Sequence, residues 1–511
     1  MFDYARIAEA VHLVFAFHTL IWVVLGVVIG VGVGAMTGLS PAPAIALLLP
    51  LTFTLSLPAS LGLLIGVYKG GIYGGSISAI SFATPGTAEA GATVFDGHKL
   101  MQAGKGKKAL HMALYASVTG DLISSIITIF LAPALALFAL NFGPSERLWL
   151  IALAIGLLGA LSGDHFAKGM FAAALGLFIG TIGTDPVSMV SRNTFGQWWL
   201  ANGINLIPLI IGLFAIATMF EKLVEHVRRW RSAKEIHEKV MQRFQGKEES
   251  LTFREYRSAW KEMAIGTGVG TFVGILPGLG ATVGAFLSYG VARQMSPQKR
   301  IGTGRLEGVA AAEAGNNATA GPTLIPLLAF GIPGGTVAAM IGAALSIKGV
   351  QAGPRMFDLY PVQIYALFVI LLISNVLVLF VGRFFAGIYA KLGQLQEQLL
   401  IPVVLAMALV GAYAYQNNPY DVGIALFFGV IGYFMRITRI PEAPLIITFI
   451  LAPLAEQSLR RALLINRGVW SEALFDSRLA IGLAIATLVL VVLLGHTQVS
   501  RRFKSVPTED E

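Results

Sequence analysis

Long runs of this sequence contain no Asp, Glu, Lys or Arg, and that absence constrains the fold more than any motif does. The uncharged windows are 10–68, 122–145, 193–220, 263–292, 314–347, 359–382, 398–420 and 479–500. A charge at the centre of a bilayer costs about 2.5–3.5 kcal/mol on insertion scales, so chain that crosses lipid avoids one. A spanning helix takes about 20 residues, and the first window is long enough for two. Shorter apolar runs at 147–163, 169–184, 422–435 and 443–455 read as tilted, paired or partial spans. The expectation is an all-α polytopic membrane protein with about eleven or twelve membrane segments, some of them re-entrant or broken.

Composition excludes the other classes. Only 13% of the 511 residues are charged and 55% are hydrophobic, with a mean hydropathy of +0.73. A soluble surface needs about 25% charge, so a large soluble enzyme and a disordered chain are both ruled out. The 58 glycines follow no G-X-Y period, which excludes collagen. Without cysteine there is no disulfide, Cys-ligated zinc, iron–sulfur cluster or thiol nucleophile. The net charge of +9 fits cytoplasmic loops that collect Lys and Arg, so no nucleic-acid partner is read from it. The first residues, MFDYARIAEAVHLVFAFHTLIWVVLGVV, lack an A-x-A-like cleavage site and read as a retained first helix.

Charge concentrates in one segment. Residues 221–262 carry 19 of the 65 charged side chains, eleven basic and eight acidic, which places this loop in the cytoplasm. Helical spacing of its Glu and Lys/Arg residues predicts a solvated helix, a sufficient account beside a regulatory or nucleic-acid-binding one. The tail RRFKSVPTEDE begins basic and is expected on the same side.

The loop divides two similar halves. GVGVGAMTGLSP (30–41) lies over GTGVGTFVGILP (266–277) at an offset of 236, pairing Gly30, Gly32, Val33, Gly34, Gly38 and Pro41 with Gly266, Gly268, Val269, Gly270, Gly274 and Pro277. A second pair follows in the same order, YGGSISAISFATPGTAEAGATVFDG and EAGNNATAGPTLIPLLAFGIPGGTVAAMIGAALSIKG. Pro85, Gly86 and Thr87 thereby face Pro333, Gly334, Gly335 and Thr336. The expected organisation is a first transmembrane repeat over 1–220, a cytoplasmic linker over 221–262 and a second repeat over 263–511. Whether the halves are inverted or parallel depends on span parity, and an inverted pair is the expectation.

Pro removes a backbone donor and Gly permits sharp turns, so PGT at 85–87, PGLG at 277–280 and IPGG at 332–335 should break helices at membrane depth. Broken backbone survives there only where protein buries it or it lines a watery cavity. Such breaks at matching positions of two repeats point to a transporter binding site, where half-helix N-termini meet an anion. The glycine runs themselves read either as close-packing faces or as ligand loops. No Rossmann or P-loop context surrounds GTGVG, and neither H-E-x-x-H nor G-x-S-x-G occurs.

At these segments, and at GVQAGPRMF (349–357), the sequence resembles the large membrane (permease) subunit of the tripartite tricarboxylate transporter family, over roughly 15–480. LSPAP at 39–43 departs from the LPGLG-like pattern of the second half, and Glu89 stands where the family pattern suggests a small apolar residue. The resemblance implies a non-enzymatic secondary active transporter of the bacterial inner membrane. It would import di- or tricarboxylates such as citrate by symport with an ion, usually sodium, and use no other cofactor. It also implies a small membrane subunit and a periplasmic solute-binding protein as partners.

For such a cargo the candidate substrate-binding residues are Ser76, Ser78, Thr84, Pro85, Gly86, Thr87, Asn316, Asn317, Thr319, Pro333, Gly334, Gly335 and Thr336, which offer hydroxyl, amide and backbone N–H donors. Ser76, Ser78, Asn316 and Asn317 are the candidate sodium ligands, since sodium takes hard oxygens. No other metal is expected. Intramembrane ionisable groups are functional candidates by default. Lys69 would attract an anion or anchor at the interface, Glu313 would bind a cation, and Glu307 and Glu313 would alternatively pair with Arg305 or face water. Asp121 would contact a proton or cation or end a helix, and Asp164-His165 reads as a loop or a proton relay. Alternating access between the two broken regions is the expected mechanism, with an elevator-like movement by resemblance to other two-repeat carriers. The competing readings are a stand-alone exchanger or channel, an intramembrane enzyme using Asp164-His165 or Asp121, and a structural scaffold.

Overall fold

In the computed structural model most of each uncharged window becomes helix, although 193–205 is turns and a short 3-10 segment. The structure describes all residues except 1–2, 37–38, 161–165, 186, 231–249, 297–299, 393–396 and 505–511. Gly38, Asp164-His165, the end of the tail and much of the charged linker lie outside the described residues.

Among the described residues, six helices are long and apolar enough to cross a membrane: Phe17–Ala35, Gly106–Ala139, Leu206–Glu225, Pro361–Gly387, Pro419–Ile437 and Glu442–Ile465. Shorter apolar helices cover Phe166–Ile179, Thr336–Ile347, Ile401–Ala414 and Arg478–Leu493. Strand is limited to a two-residue antiparallel ladder, Gly183–Thr184 with Ser191–Arg192. The protein is an all-α, multi-pass membrane protein. Its exposed Phe, Leu, Ile and Val side chains on the long helices are what a lipid solvent accepts and water does not.

Ten helices position the polar interior: α1 (Phe17–Ala35), α2 (Leu57–Phe82), α3 (Gly91–Gln102), α4 (Gly106–Ala139), α5 (Trp260–Ile275), α6 (Gly280–Met295), α7 (Leu306–Asn317), α8 (Leu324–Phe330), α9 (Thr336–Ile347) and α10 (Pro361–Leu392). Helix α2 is buried along nearly its whole length and on all faces, which makes it a central strut. It packs against α1, α4 and α10, and α7 packs against α4, α5 and α6.

The glycine runs are packing faces. A Cβ on Gly30 or Gly34 would come within 2.5 and 2.1 Å of the carbonyl oxygens of Val67 and Gly71 on α2. One on Gly266 or Gly270 would come within 2.5 and 2.2 Å of those of Ala311 and Gly315 on α7. Only glycine allows backbones this close. Lys69 lies two residues beyond Val67, and Glu313 two residues beyond Ala311, so the two ionisable side chains occupy the same register on their helices.

The predicted breaks are all present. Helix α2 ends at Ala83 with φ 56°, and a turn leads through Pro85–Thr87 and a 3-10 turn, Ala88–Ala90, into α3. Helices α5 and α6 are separated by a turn in which Gly278 has φ 89°, a left-handed conformation that suits glycine. Helix α7 stops at Asn317 and α8 at Phe330, with left-handed Gly331 opening the IPGG turn before α9.

Candidate functional site

The breaks place buried polar side chains where α7 meets the first half of the chain. Glu313, on the second turn of α7 from its end, is fully buried. Its Oε1 accepts from Ser76 Oγ of α2 at 2.5 Å and from the Thr93 hydroxyl of α3. Its Oε2 accepts from Ser117 Oγ of α4 at 2.9 Å. Three hydroxyls from three first-half helices thus hold one second-half carboxylate, with no cationic side chain paired to it among the described residues. Asn317 closes the cluster by donating from Nδ2 to Ser117 Oγ at 2.9 Å and to the Glu313 carbonyl at 3.0 Å.

Asn316 behaves differently from its neighbour. It is fully buried, and neither Oδ1 nor Nδ2 finds a hydrogen-bond partner among the described residues. Leaving a buried amide unpaired costs about 1–3 kcal/mol per group, which sets Asn316 apart from the satisfied polar residues around it. Successive helical residues are turned by about 100°, which puts Asn316 between the Glu313 face of α7 and the Gly315 face that packs on α6. The Ala88–Ala90 turn packs against both α6 and α7, and its Glu89 also has an unpartnered buried oxygen, Oε2.

The remaining predicted residues divide into two groups. Gly86 and Thr87 lie against α2: the Gly86 N–H donates to the Gly75 carbonyl at 3.3 Å, and a Cβ there would meet Gly34 O at 1.9 Å. Thr87 is buried, caps the 3-10 turn by accepting from Ala90 N and touches Gly75. Ser78 is buried and donates to Gly75 O at 3.1 Å, while Thr84 is exposed and donates to Phe82 O, and Pro85 is half-buried between them. Of the predicted residues, Ser76 and Asn317 are the ones that touch Glu313, while Ser78, Gly86 and Thr87 meet Gly75, one residue before Ser76.

Pro333, Gly334, Gly335 and Thr336 gather elsewhere. The Gly334 carbonyl accepts from Gly278 N–H at 2.7 Å, joining the PGLG and IPGG turns, and a Gly334 Cβ would meet Thr323 O at 2.3 Å. The Thr323 side chain is in contact with the Tyr68 hydroxyl on α2, eight residues and therefore about 12 Å along the helix from Ser76. Thr319 donates to the Asn316 carbonyl at 2.7 Å and stands between the two groups. Gly335 is extended and caps α9, with half-buried Thr336 as its first residue.

The other ionisable candidates also have definite places. Lys69 is buried at 1% exposure and pairs with Asp121 Oδ2 at 3.1 Å, so it is no interfacial anchor. Its Nζ also donates to Ser125 Oγ and to the Leu371 carbonyl of α10, at 3.0 and 2.7 Å. Asp121 sits inside α4, not at a helix end. Glu307 pairs with Arg305 at 3.0 Å, whereas Glu313 does not. Sequence reasoning missed Thr93 and Ser117. Ser117 stands one helical turn before Asp121, a spacing that a search along α4 for polar residues on one face would have found.

A multi-pass helical protein whose broken helices enclose a buried carboxylate and an unpaired amide has the construction of a membrane transport subunit. The chain belongs to the tripartite tricarboxylate transporter TctA family, which matches residues 20–447. It is similar to a protein of Agrobacterium vitis described as an uncharacterized 52.8 kDa protein in the TAR-I ttuC' 3' region, with 33% identity over 84% of this chain and 85% of that one. A second Agrobacterium vitis protein, described as an uncharacterized protein in the TAR-II ttuC' 3' region, is 34% identical over 43% of this chain and 94% of its own length. No solved structure matches the chain.

Proposed function

We propose that the protein is the substrate-translocating subunit of a sodium-driven symporter for di- or tricarboxylates in the bacterial inner membrane. It receives its anion from a periplasmic solute-binding protein and works with a small membrane subunit. Membership of the family supports the transport role, and the chemistry of the interior supports the ion coupling. The observation that carries the reading is that, among the described residues, Glu313 is held by neutral hydroxyls, and fully buried Asn316, three residues on, has no side-chain partner.

A carboxylate whose donors are all neutral has no counter-charge inside the protein, and a sodium ion can supply one. Ser76, Ser78, Asn316 and Asn317 are the side chains that offer it hard oxygens. The substrate anion then meets donors from the Pro85–Thr87 and Pro333–Thr336 turns, and helix α9, which follows the second, begins without a side-chain cap. Binding the cation first lowers the electrostatic cost of the anion, which is how one gradient drives the other. The two halves, 1–220 and 263–511, move against each other to expose this interior to either side.

The test is uptake of labelled citrate and other carboxylates into proteoliposomes, with and without a sodium gradient and with and without binding protein. Saturable uptake that needs the sodium gradient is expected. No uptake of any carboxylate under an imposed gradient would sink the reading, and flux that neither saturates nor responds to sodium would make the protein a channel.

A further inference from the structure

Helices α3 and α6 run side by side from the broken turns to one face of the molecule. A Cβ on Gly91, at the start of α3, would touch the Phe286 ring of α6 at 3.0 Å. Phe95 then packs on Phe286 and Tyr289, with centroids 6.2 and 5.3 Å away. At the far end His98, Lys99 and Gln102 of α3 line the same groove as Arg293 of α6. The groove has a volume of about 470 Å³, within the range of small-ligand sites.

Its mouth opens on the side of the charged linker. Lys108, just after α3, pairs at 2.7 Å with Glu255 of the short helix that follows the linker. The positive-inside rule makes this the cytoplasmic face.

The groove is cationic by construction. Lys99 Nζ is tethered to the Gly302 carbonyl at 2.6 Å, and Arg293 pairs with no carboxylate among the described residues. The acid beneath, Asp96, is buried and held by neutral donors, so two cations at the surface stand against one buried carboxylate and the balance is positive. Its oxygens accept from the backbone N–H groups of Gly302, Gly304 and Arg305 at 2.7–3.0 Å and from the Tyr289 hydroxyl at 2.9 Å. Among the described residues, no Asp or Glu lines the groove. Two cations at the mouth of an aromatic-walled cleft that begins at the broken turns suit a small anion leaving the interior.

We propose that the α3–α6 groove is the cytoplasmic release vestibule, with Arg293 and Lys99 forming an outer station for the carboxylates of the transported anion. The vestibule rests on the carboxylate-transport reading above, but its electrostatics can be tested separately.

The sequence has no cysteine, so His98→Cys in the full chain gives one reporter thiol. In inside-out membrane vesicles its modification is timed with anionic sulfonatoethyl, cationic trimethylammonioethyl and neutral methyl methanethiosulfonates. The anionic reagent is expected to outpace the cationic one. Adding Arg293→Gln should cut that ratio by about fivefold, the effect of one charge a few ångströms away in partly screened solvent. The neutral reagent should react equally with both proteins, which reports an intact fold. Citrate in the bath should slow modification of the His98→Cys protein and not of the double variant. A thiol unreactive from this side, or a ratio unmoved by Arg293→Gln, overturns the vestibule. Protection by phosphatidylglycerol vesicles and not by citrate assigns the groove to lipid headgroups and overturns it too. Absence of citrate uptake by the unmodified chain strikes the transport reading alone, because the charge ratio does not depend on turnover.

Discussion

Two buried ionisable centres, Lys69 on α2 and Glu313 on α7, occupy the same register relative to their glycine-packed neighbours and are satisfied in opposite ways. Lys69 is answered by a full opposite charge at Asp121, with Ser125 and the Leu371 carbonyl completing its shell. Glu313 is answered by three hydroxyls. Helix α4 serves both, offering Ser117 to one and Asp121 and Ser125 to the other at successive turns. An ion pair of this kind is closed: it has zero net charge and asks for no ligand. A carboxylate among neutral donors is open, because its charge is spread but not cancelled. The same position is therefore neutralised within the protein in one half and left without a counter-charge in the other.

Removing one member of the closed pair breaks this contrast most severely. Lys69→Met leaves Asp121 buried without its partner, and breaking a buried pair costs about 3–5 kcal/mol. The variant is expected to be recovered poorly from membranes and to unfold at far lower temperature in detergent. Lys69→Met with Asp121→Leu removes both charges and should regain most of the loss, since a matched apolar replacement is often neutral. A double variant no better than the single one would show that the pair has a role beyond mutual neutralisation.

The matched register itself is open to a smaller perturbation. Gly34→Ala and Gly270→Ala each drive a Cβ to 2.1–2.2 Å of a backbone carbonyl oxygen, on Gly71 and Gly315. Backbone cannot step aside as a side chain can, so each should cost about 1–3 kcal/mol. Gly268→Ala, whose Cβ would meet nothing within 4 Å, should gain up to about 1 kcal/mol from helix propensity. Thermal unfolding of the three proteins in one detergent checks this. Unequal losses at Gly34 and Gly270 would mean that the two helix pairs are not packed alike.

What the sequence disclosed of these centres follows from how local each feature is. The breaks at Pro85, Pro277 and Pro333 were legible because proline and glycine act on their own backbone. The spans were legible because lipid excludes charge residue by residue. The glycine faces were legible as a repeat but ambiguous in purpose, since close packing and ligand access call for the same residue. The partners of Glu313 were hidden: Ser76, Thr93 and Ser117 lie 237, 220 and 196 residues away, and no local pattern encodes such a meeting. Asn316 and Asn317 looked equivalent in sequence, yet one helical step turns Asn317 to the hydroxyl cluster and leaves Asn316 unpaired. Lys69 looked like a candidate for meeting an anion because its neutralising Asp121 is 52 positions further on.

For the open centre, Glu313→Gln is expected to cost the fold only about 1 kcal/mol, since Gln keeps an acceptor oxygen and loses the charge assistance of its donors. The functional consequence should be larger than the structural one. Citrate uptake by the variant should lose its dependence on the sodium gradient while the purified protein stays monodisperse. Uptake that remains sodium-dependent would place the cation away from Glu313 and remove the contrast drawn with Lys69.

The smallest effect lies at the solvated end of the helix that serves both centres. Lys108 pairs with Glu255 at 2.7 Å, thirteen residues and about 20 Å along α4 from Asp121. The Lys108 ammonium, with the Thr252 N–H and hydroxyl of a capping box, lowers the Glu255 carboxyl from its ordinary 4.5 to about 2. Because the folded value is the depressed one, the stabilisation is fully present above pH 4.5 and is lost as the pH falls towards 2. The Glu255 side chain is 33% exposed, so solvent screening holds the contribution to less than about 1 kcal/mol. The melting temperature of Glu255→Gln should accordingly lie slightly below that of the unmodified chain at pH 6, and the gap should narrow as both are taken to pH 3. A gap that stays constant would show that Glu255 acts through packing and not through its charge. A gap as large as that of Lys69→Met would mean that burial is not what separates the strong ion pair on α4 from the weak one.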